Sequence, residues 1–347
     1  MDFDFDEDQR LLQQTVRDFL TGELAPAHVR GLWETETGRD AAFWKRLAEV
    51  GVPGLLVPEA HGGLGMDETD LVLLLEETGR VALAEPVIPT SVGAALLRDL
   101  GGALGETWLP KVAAGEAMLA VGHRASPFVS DAHVASLLLL PKEGALHALP
   151  RERAQIEAQP SNDGSQRLFR VTFDGGAPVA EGARAEALLE AALDRGALLC
   201  AAEALGTTDR LIELAAGYAG QRKQFGVAIG SFQAVKHHLA TVKVAIEYAR
   251  PMVHRAAWSV AEAVPGRAVH VSMAKVAAAE AAAQAARTAL QVHGAIGYTW
   301  EQDLHIWMRR AWSLGNAWGT ISFHRDRVTD AVLAPDARLG PGATFQE

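Results

Sequence analysis

Apolar residues recur at helical spacing through the first third of the chain. Leu11, Leu12, Val16, Phe19 and Leu20 share one face of a helix that Asp6 can cap. A second helical pattern covers Ala41 to Val50. Pro53, Pro58, Gly62, Gly63 and Gly65 then predict a loop. Asp67 and Thr69 supply caps for the next apolar run, Leu71 to Leu75, which continues to Gly79. Shorter helices fit Val92–Leu100 and Glu106–Ala114.

The pattern changes between Met118 and Ala180. Pro127, Pro141, Pro150, Pro160 and Pro178 forbid long helices there. Phe169, Val171 and Phe173 alternate with Arg170 and Thr172, the period of a half-buried strand. Val134 to Leu140 is apolar except for Ser136, which fits a buried strand. From Gly182 onward helical patterns return and are long: 183–221, 231–264 and 268–292, with Pro251 expected to kink the second. Eleven alanines between Ala268 and Ala289 favour helix and let neighbouring helices approach closely. Further helices fit Gln302–Leu314 and Ile321–Val332. The order is a helical domain (1–117), a small β domain (118–181) and a C-terminal long-helix bundle (182–347). The long helices carry more apolar surface than the small β unit can cover, so a large subunit interface is expected.

Composition narrows the function classes. Asp and Glu outnumber Lys and Arg by 43 to 32, and no basic cluster relieves the net charge of −11, which argues against nucleic-acid binding. The single cysteine, Cys200, lies in an Ala-rich stretch typical of a buried thiol. The acidic N-terminus is unlike a signal peptide and no apolar run is long enough to span a membrane, so a soluble, cytoplasmic protein is expected. The twelve histidines show no metal-ligand spacing, and adjacent His237 and His238 point to different helix faces. No metal is expected. Trp258, Trp300, Trp307 and Trp312 read as core.

Two helix ends carry candidate chemistry. Gln221-Arg222-Lys223-Gln224-Phe225-Gly226 reads first as a C-terminal cap, with Gly226 left-handed and the cations on the negative end of the dipole. Gln291-Val292-His293-Gly294-Ala295-Ile296-Gly297 ends the Ala-rich helix in a similar way, and His293 fits either a cofactor contact or a cap. In this order, with Ser231-Phe232-Gln233 and Arg309-Arg310, and with Gly51–Gly65 and Glu76-Glu77-x-Gly79-Arg80 upstream, these stretches resemble the acyl-CoA dehydrogenase family over nearly the whole chain. The resemblance implies that family's mainly α fold, FAD as cofactor, an acyl-CoA substrate and a dimer or tetramer. It implies that Arg222, Phe225 and Gln233 touch FAD held mainly by a neighbouring subunit. The turn Gln291, Gly294, Ala295, Gly297 would offer backbone N–H groups to the pyrophosphate, and Thr320 a further cofactor contact.

The chain departs from the family pattern in three places. The carboxylate base expected before a Gly-Thr pair is replaced by Trp318, ahead of Gly319-Thr320. The alternative base position falls on Gly196. Asp194 lies about 200° around the helix from it, and Glu203 about 10 Å along the axis on the same face, so these are the fallback bases. The family's T-E-P-x-A-G-S-D stretch is replaced by Gly122-His123-Arg124-Ala125-Ser126-Pro127, and its Trp-containing strand is absent, so the β domain is shortened. With Gly297-Tyr298-Thr299-Trp300-Glu301, the pattern resembles the base-lacking subunits of heteromeric, sterol side-chain acyl-CoA dehydrogenases. That implies a non-catalytic subunit completing a partner's FAD site. An active dehydrogenase with a relocated base, and a flavin monooxygenase or oxidase on the same fold, remain the alternatives.

Overall fold

The computed structural model describes residues 4–337 and 340. Six helices build the N-terminal part: α1 (Glu7–Glu23), α2 (Pro26–Trp33), α3 (Ala41–Glu49), α4 (Glu68–Val81), α5 (Val87–Leu100) and α6 (Gly102–Ala113). Asp6 and Asp67 cap α1 and α4, each through a capping box that satisfies two end N–H groups. Two differences from the sequence reading have local causes. Helix α2 is short and opens on Pro26, which is tolerated in a first turn where no N–H is needed. Helix α5 begins five residues before the expected Val92, and its first turn is buried almost throughout, so packing sets its start.

Seven short strands follow. Strands β1 (Leu119–Val121), β3 (Leu137–Lys142), β4 (Ala145–Pro150) and β7 (Ala180–Glu181) form one sheet in the order β1-β3-β4-β7. Strands β2 (Val129–Ser130), β5 (Gln155–Gln159) and β6 (Leu168–Thr172) form a second in the order β2-β6-β5. Leu138 and Leu140 of β3 join Val129 and Phe169 in a small apolar cluster between the sheets, while Leu137 and Leu139 face the main core. Alternate residues thus serve two cores, which explains why β3 reads as continuously apolar.

The C-terminal part is a bundle of α7 (Gly182–Gln221), α8 (Gln233–Ala261), α9 (Arg267–His293), α10 (Leu304–Asn316) and α11 (Ile321–Leu333). A two-stranded ribbon, β8 (Lys223–Gln224) with β9 (Val227–Ala228), joins α7 to α8. Helix α8 continues through Pro251. The Ala-rich face of α9, including Ala274, Ala278, Ala282 and Ala286, is buried.

Helix α7 crosses α4 at a point where both lack side chains. A Cβ on Gly79 would lie 2.0 Å from the Glu203 carbonyl oxygen, and one on Gly206 would lie 1.7 Å from that of Glu76. Close backbone approach requires glycine at both positions. About 16 Å further along both helices, Arg195 of α7 donates to Glu68 of α4 at 2.6 Å and to Asp99 of α5 at 2.7 Å. The middle of α7 is thereby locked against the N-terminal helices. The molecule is mainly helical, with a helical N-terminal part, a small two-sheet middle and a helical C-terminal part.

Candidate functional site: a filled centre and an open end

The two positions where a base was sought meet in space. Trp318 sits in the turn between α10 and α11, buried and left-handed with φ +57°. Its indole lies on Gly196, at the locked middle of α7. A Cβ on Gly196 would fall 2.0 Å from the indole Cδ2 and 2.1 Å from Cε3. On its other face the indole stacks on the His123 ring, with centroids 4.4 Å apart and planes 15° from parallel. Backbone, indole and imidazole thus form one continuous stack across the join between the helical and β parts.

Several groups hold the stack together. The Trp318 carbonyl can only accept, so His324 donates from Nε2 at 3.0 Å, and its Nδ1 accepts from the Ser272 hydroxyl at 3.0 Å. Burial and nearby Lys275 push both His123 and His324 down to about 4, so both rings stay neutral near pH 7. Fully buried Lys275 donates to the Leu314 carbonyl, one of the last carbonyls of α10 left without a helical partner. Burial pulls this ammonium below its ordinary range. Cys200 lies nearby, and burial raises its thiol to about 11, which keeps it unreactive.

Both fallback carboxylates are engaged elsewhere. Asp194 is 2% exposed and accepts from Arg327 at 2.9 Å, with Arg267 at 3.5 Å. Glu203 accepts from Arg310, whose Nε donates to Asp163 at 2.6 Å. This buried triad ties α7 and α10 to the 161–167 loop of the β unit. A different carboxyl, one that sequence reasoning passed over, borders a cavity of about 70 Å³ below Trp318. Glu85 accepts from the Asp40 N–H at 2.9 Å, while its Oε2 is buried without a partner. Burial raises it to about 7. The available signal was a lone acid in the apolar run Val81–Ile88.

The cofactor candidates gather at the far end of the bundle, except for one. Tyr218 near the end of α7 stacks on His293 at the end of α9, with centroids 4.5 Å apart, which brings the two turns together. His293 donates from Nδ1 to the Ala289 carbonyl at 2.7 Å, a bond within its own helix. Phe225 and Gly226 have φ +53° and +82° and form the two-residue turn of the β8–β9 hairpin. Gly226 is therefore a hairpin residue and not the helix cap expected from sequence; Arg222 itself ends α7. Phe225 is 93% exposed, and Arg222, Gln233, Gln291, Gly294 and Ala295 are exposed as well. Gly297 is buried, and a Cβ there would press on His293 and Leu290 at 3.0 Å. Thr320 lies apart from these, capping α11 through the Phe323 N–H at 3.2 Å. Arg222 is about 39 Å from Gly196 along α7 at 1.5 Å per residue.

The fit to FAD therefore differs between the two ends. The exposed guanidinium, aromatic ring and open backbone at the far end suit a phosphate and a flat heterocycle approaching from outside. The Trp318 end does not suit an isoalloxazine, because His123 already covers the indole face. The adjoining cleft, bounded by Ser126, Gln166, Ser313 and Asn316, measures about 230 Å³. Of the four tryptophans expected in the core, Trp307 is buried and donates to the Arg80 carbonyl at 2.9 Å, and Trp258 is partly buried. Trp300 and Trp312 are exposed, at 64% and 38%. Among the described residues no group of three or more His, Cys, Asp or Glu could hold a metal ion, and no helix is long and apolar enough to cross a membrane.

Comparison with known proteins places this architecture. The acyl-CoA dehydrogenase N-terminal domain matches residues 6–116 and the C-terminal domain residues 186–333. The chain is 32% identical over 307 residues to the acyl-CoA dehydrogenase IpdE2 of Mycobacterium tuberculosis, spanning 88% of this chain and 91% of that protein. It is similar to the ChsE4–ChsE5 complex of the same organism, with a TM-score of 0.85, 25% identity and coverage of 97% and 100%. It also resembles the Tcur3481–Tcur3483 steroid acyl-CoA dehydrogenase, G363A variant, with a TM-score of 0.85, 26% identity and coverage of 93% and 97%. Matched at both its helical ends and along nearly its whole length, the chain belongs to the acyl-CoA dehydrogenase family.

Proposed function

We propose that this chain is a non-catalytic subunit of a heteromeric acyl-CoA dehydrogenase acting on a bulky, sterol-derived acyl-CoA. Its exposed end completes the FAD site of a catalytic partner. One observation supports the reading: Trp318, which stands where the family resemblance expects a carboxylate base, packs against Gly196, the alternative base position, and stacks on His123. FAD supplies hydride acceptance when bound, and a carboxylate must remove the α-proton. An indole cannot accept that proton. Asp194 and Glu203 are committed to arginines, and moving either would leave a buried cation unpaired. In place of proton transfer, this chain's residues bind. Arg222 offers a charged fork to phosphate, Phe225 an aromatic face, and the 291–297 turn its backbone. The relatives named for steroid substrates and for a two-protein complex support the substrate class and the heteromer.

Co-expression with a catalytic homologue tests this. The expected result is one flavin per pair of unlike chains, with little flavin on this chain purified alone. Full flavin occupancy of the isolated chain, bleached by an acyl-CoA under anaerobic conditions, would restore the active-enzyme alternative.

A further inference from the structure

Helix α8 turns one face to the core through Val242, Ile246, Ala249 and Val253, all buried. Its outward face is not the polar surface that such a helix ordinarily shows. His237, Thr241, Val244, Tyr248 and Pro251 are exposed there, Val244 at 56% and Tyr248 at 73%. Nothing in the dehydrogenase reading uses these residues.

Their spacing names the kind of partner. Steps of four, three, four and three residues make the narrow seam that one helix offers to another. The seam runs about 21 Å along α8 at 1.5 Å per residue. Thr241 donates its hydroxyl to the His237 carbonyl at 2.8 Å, which leaves little unmet polarity on it. Lys243 and Glu247, both exposed, form an ion pair of 2.6 Å along its flank.

Size and charge make the seam complementary to itself. In an antiparallel pair of α8 helices with its midpoint at Ile246, Val244 meets Tyr248 of the second copy, and Tyr248 meets Val244 of that copy. A small residue thus faces a large one on both sides of the axis. On the flank, each Lys243 comes within about 3 Å, measured along the helix, of Glu247 of the second copy. Two ion pairs then cross the axis.

We propose that α8 pairs across a two-fold axis with α8 of a second copy of this chain. The pairing needs neither flavin nor a catalytic partner, so its failure leaves the proposed function standing.

Sedimentation equilibrium of the isolated full chain at micromolar concentration tests the pairing. The parent is expected at twice the chain mass and Tyr248→Glu at the chain mass, with unchanged far-UV circular dichroism because the side chain is exposed. Glu247→Lys should weaken the dimer about fivefold by replacing two crossing ion pairs with like charges. Adding Lys243→Glu should recover it, since both charges are then reversed together. A monomeric parent, a dimer unmoved by Tyr248→Glu, or a charge swap that recovers nothing would overturn the proposal. So would a parent that is monomeric alone and loses its catalytic partner on Tyr248→Glu, which would assign the seam to that partner.

Discussion

Gly196→Ala gives the Trp318 stack a test whose sign is diagnostic. In an unhindered helix interior, Gly→Ala stabilises by about 1 kcal/mol. Here the new methyl would lie 2.0, 2.1 and 2.5 Å from three indole atoms, far inside van der Waals contact. The indole cannot retreat easily, since His123 covers its other face and His324 holds the Trp318 carbonyl. Overpacking of this severity costs about 3 kcal/mol, so the net effect is a loss of about 2 kcal/mol. Trp318→Ala alone should cost about 3–5 kcal/mol by emptying the stack. In that background Gly196→Ala has room and should recover about 1 kcal/mol. Urea denaturation of the four proteins closes the cycle, with an expected coupling of about 3 kcal/mol between the two sites. A stabilising Gly196→Ala in the parent chain would show that the indole does not rest on Gly196.

The remaining expectations concern charge and cofactor. Arg310→Met leaves Asp163 and Glu203 buried without their cation, and should cost about 3–5 kcal/mol in the same denaturation assay. Glu85 is raised from 4.5 to about 7, so the folded chain holds a proton that the unfolded chain has released. Its contribution is complete below pH 4.5 and is lost as pH rises through 7, so Glu85→Gln should be most stabilising, relative to the parent, above pH 7. His123 and His324 act in the opposite sense: held at about 4, they refuse protons that the unfolded chain takes up, so stability falls as pH drops from 6.5 towards 4. Arg222→Ala and Phe225→Ala should lower flavin content of the heteromer while shifting this chain's own stability by less than about 1 kcal/mol, since both side chains are exposed.

Much of this architecture was legible because it rests on local rules. Asp6 and Asp67 were found as caps because a short acid before an apolar period serves few other purposes. The long helices were found because 183–221 and 268–292 contain no proline. What stayed hidden depends on partners distant in sequence. Gly79 and Gly206 read as mild helix weaknesses until their crossing is seen. Gly226 fits a helix cap and a hairpin turn equally well, because both need a positive φ. Trp300 and Trp312 carry the composition of a core but lie on the surface. Trp318 and Gly196 were each identified as departures from a family pattern, but nothing local reveals that one fills the space the other leaves. Glu85 was missed because a buried carboxyl differs from an exposed one only by its surroundings.

We propose that this chain contributes contacts to the flavin site and no base. The most direct measurement uses a heteromer in which the catalytic partner's carboxylate base has been changed to glutamine. Such a complex, loaded with flavin and mixed anaerobically with its acyl-CoA, should show no flavin bleaching if, as proposed, the partner's carboxylate is the proton acceptor. Bleaching at a rate near that of the parent complex would mean that this chain carries a working site of its own.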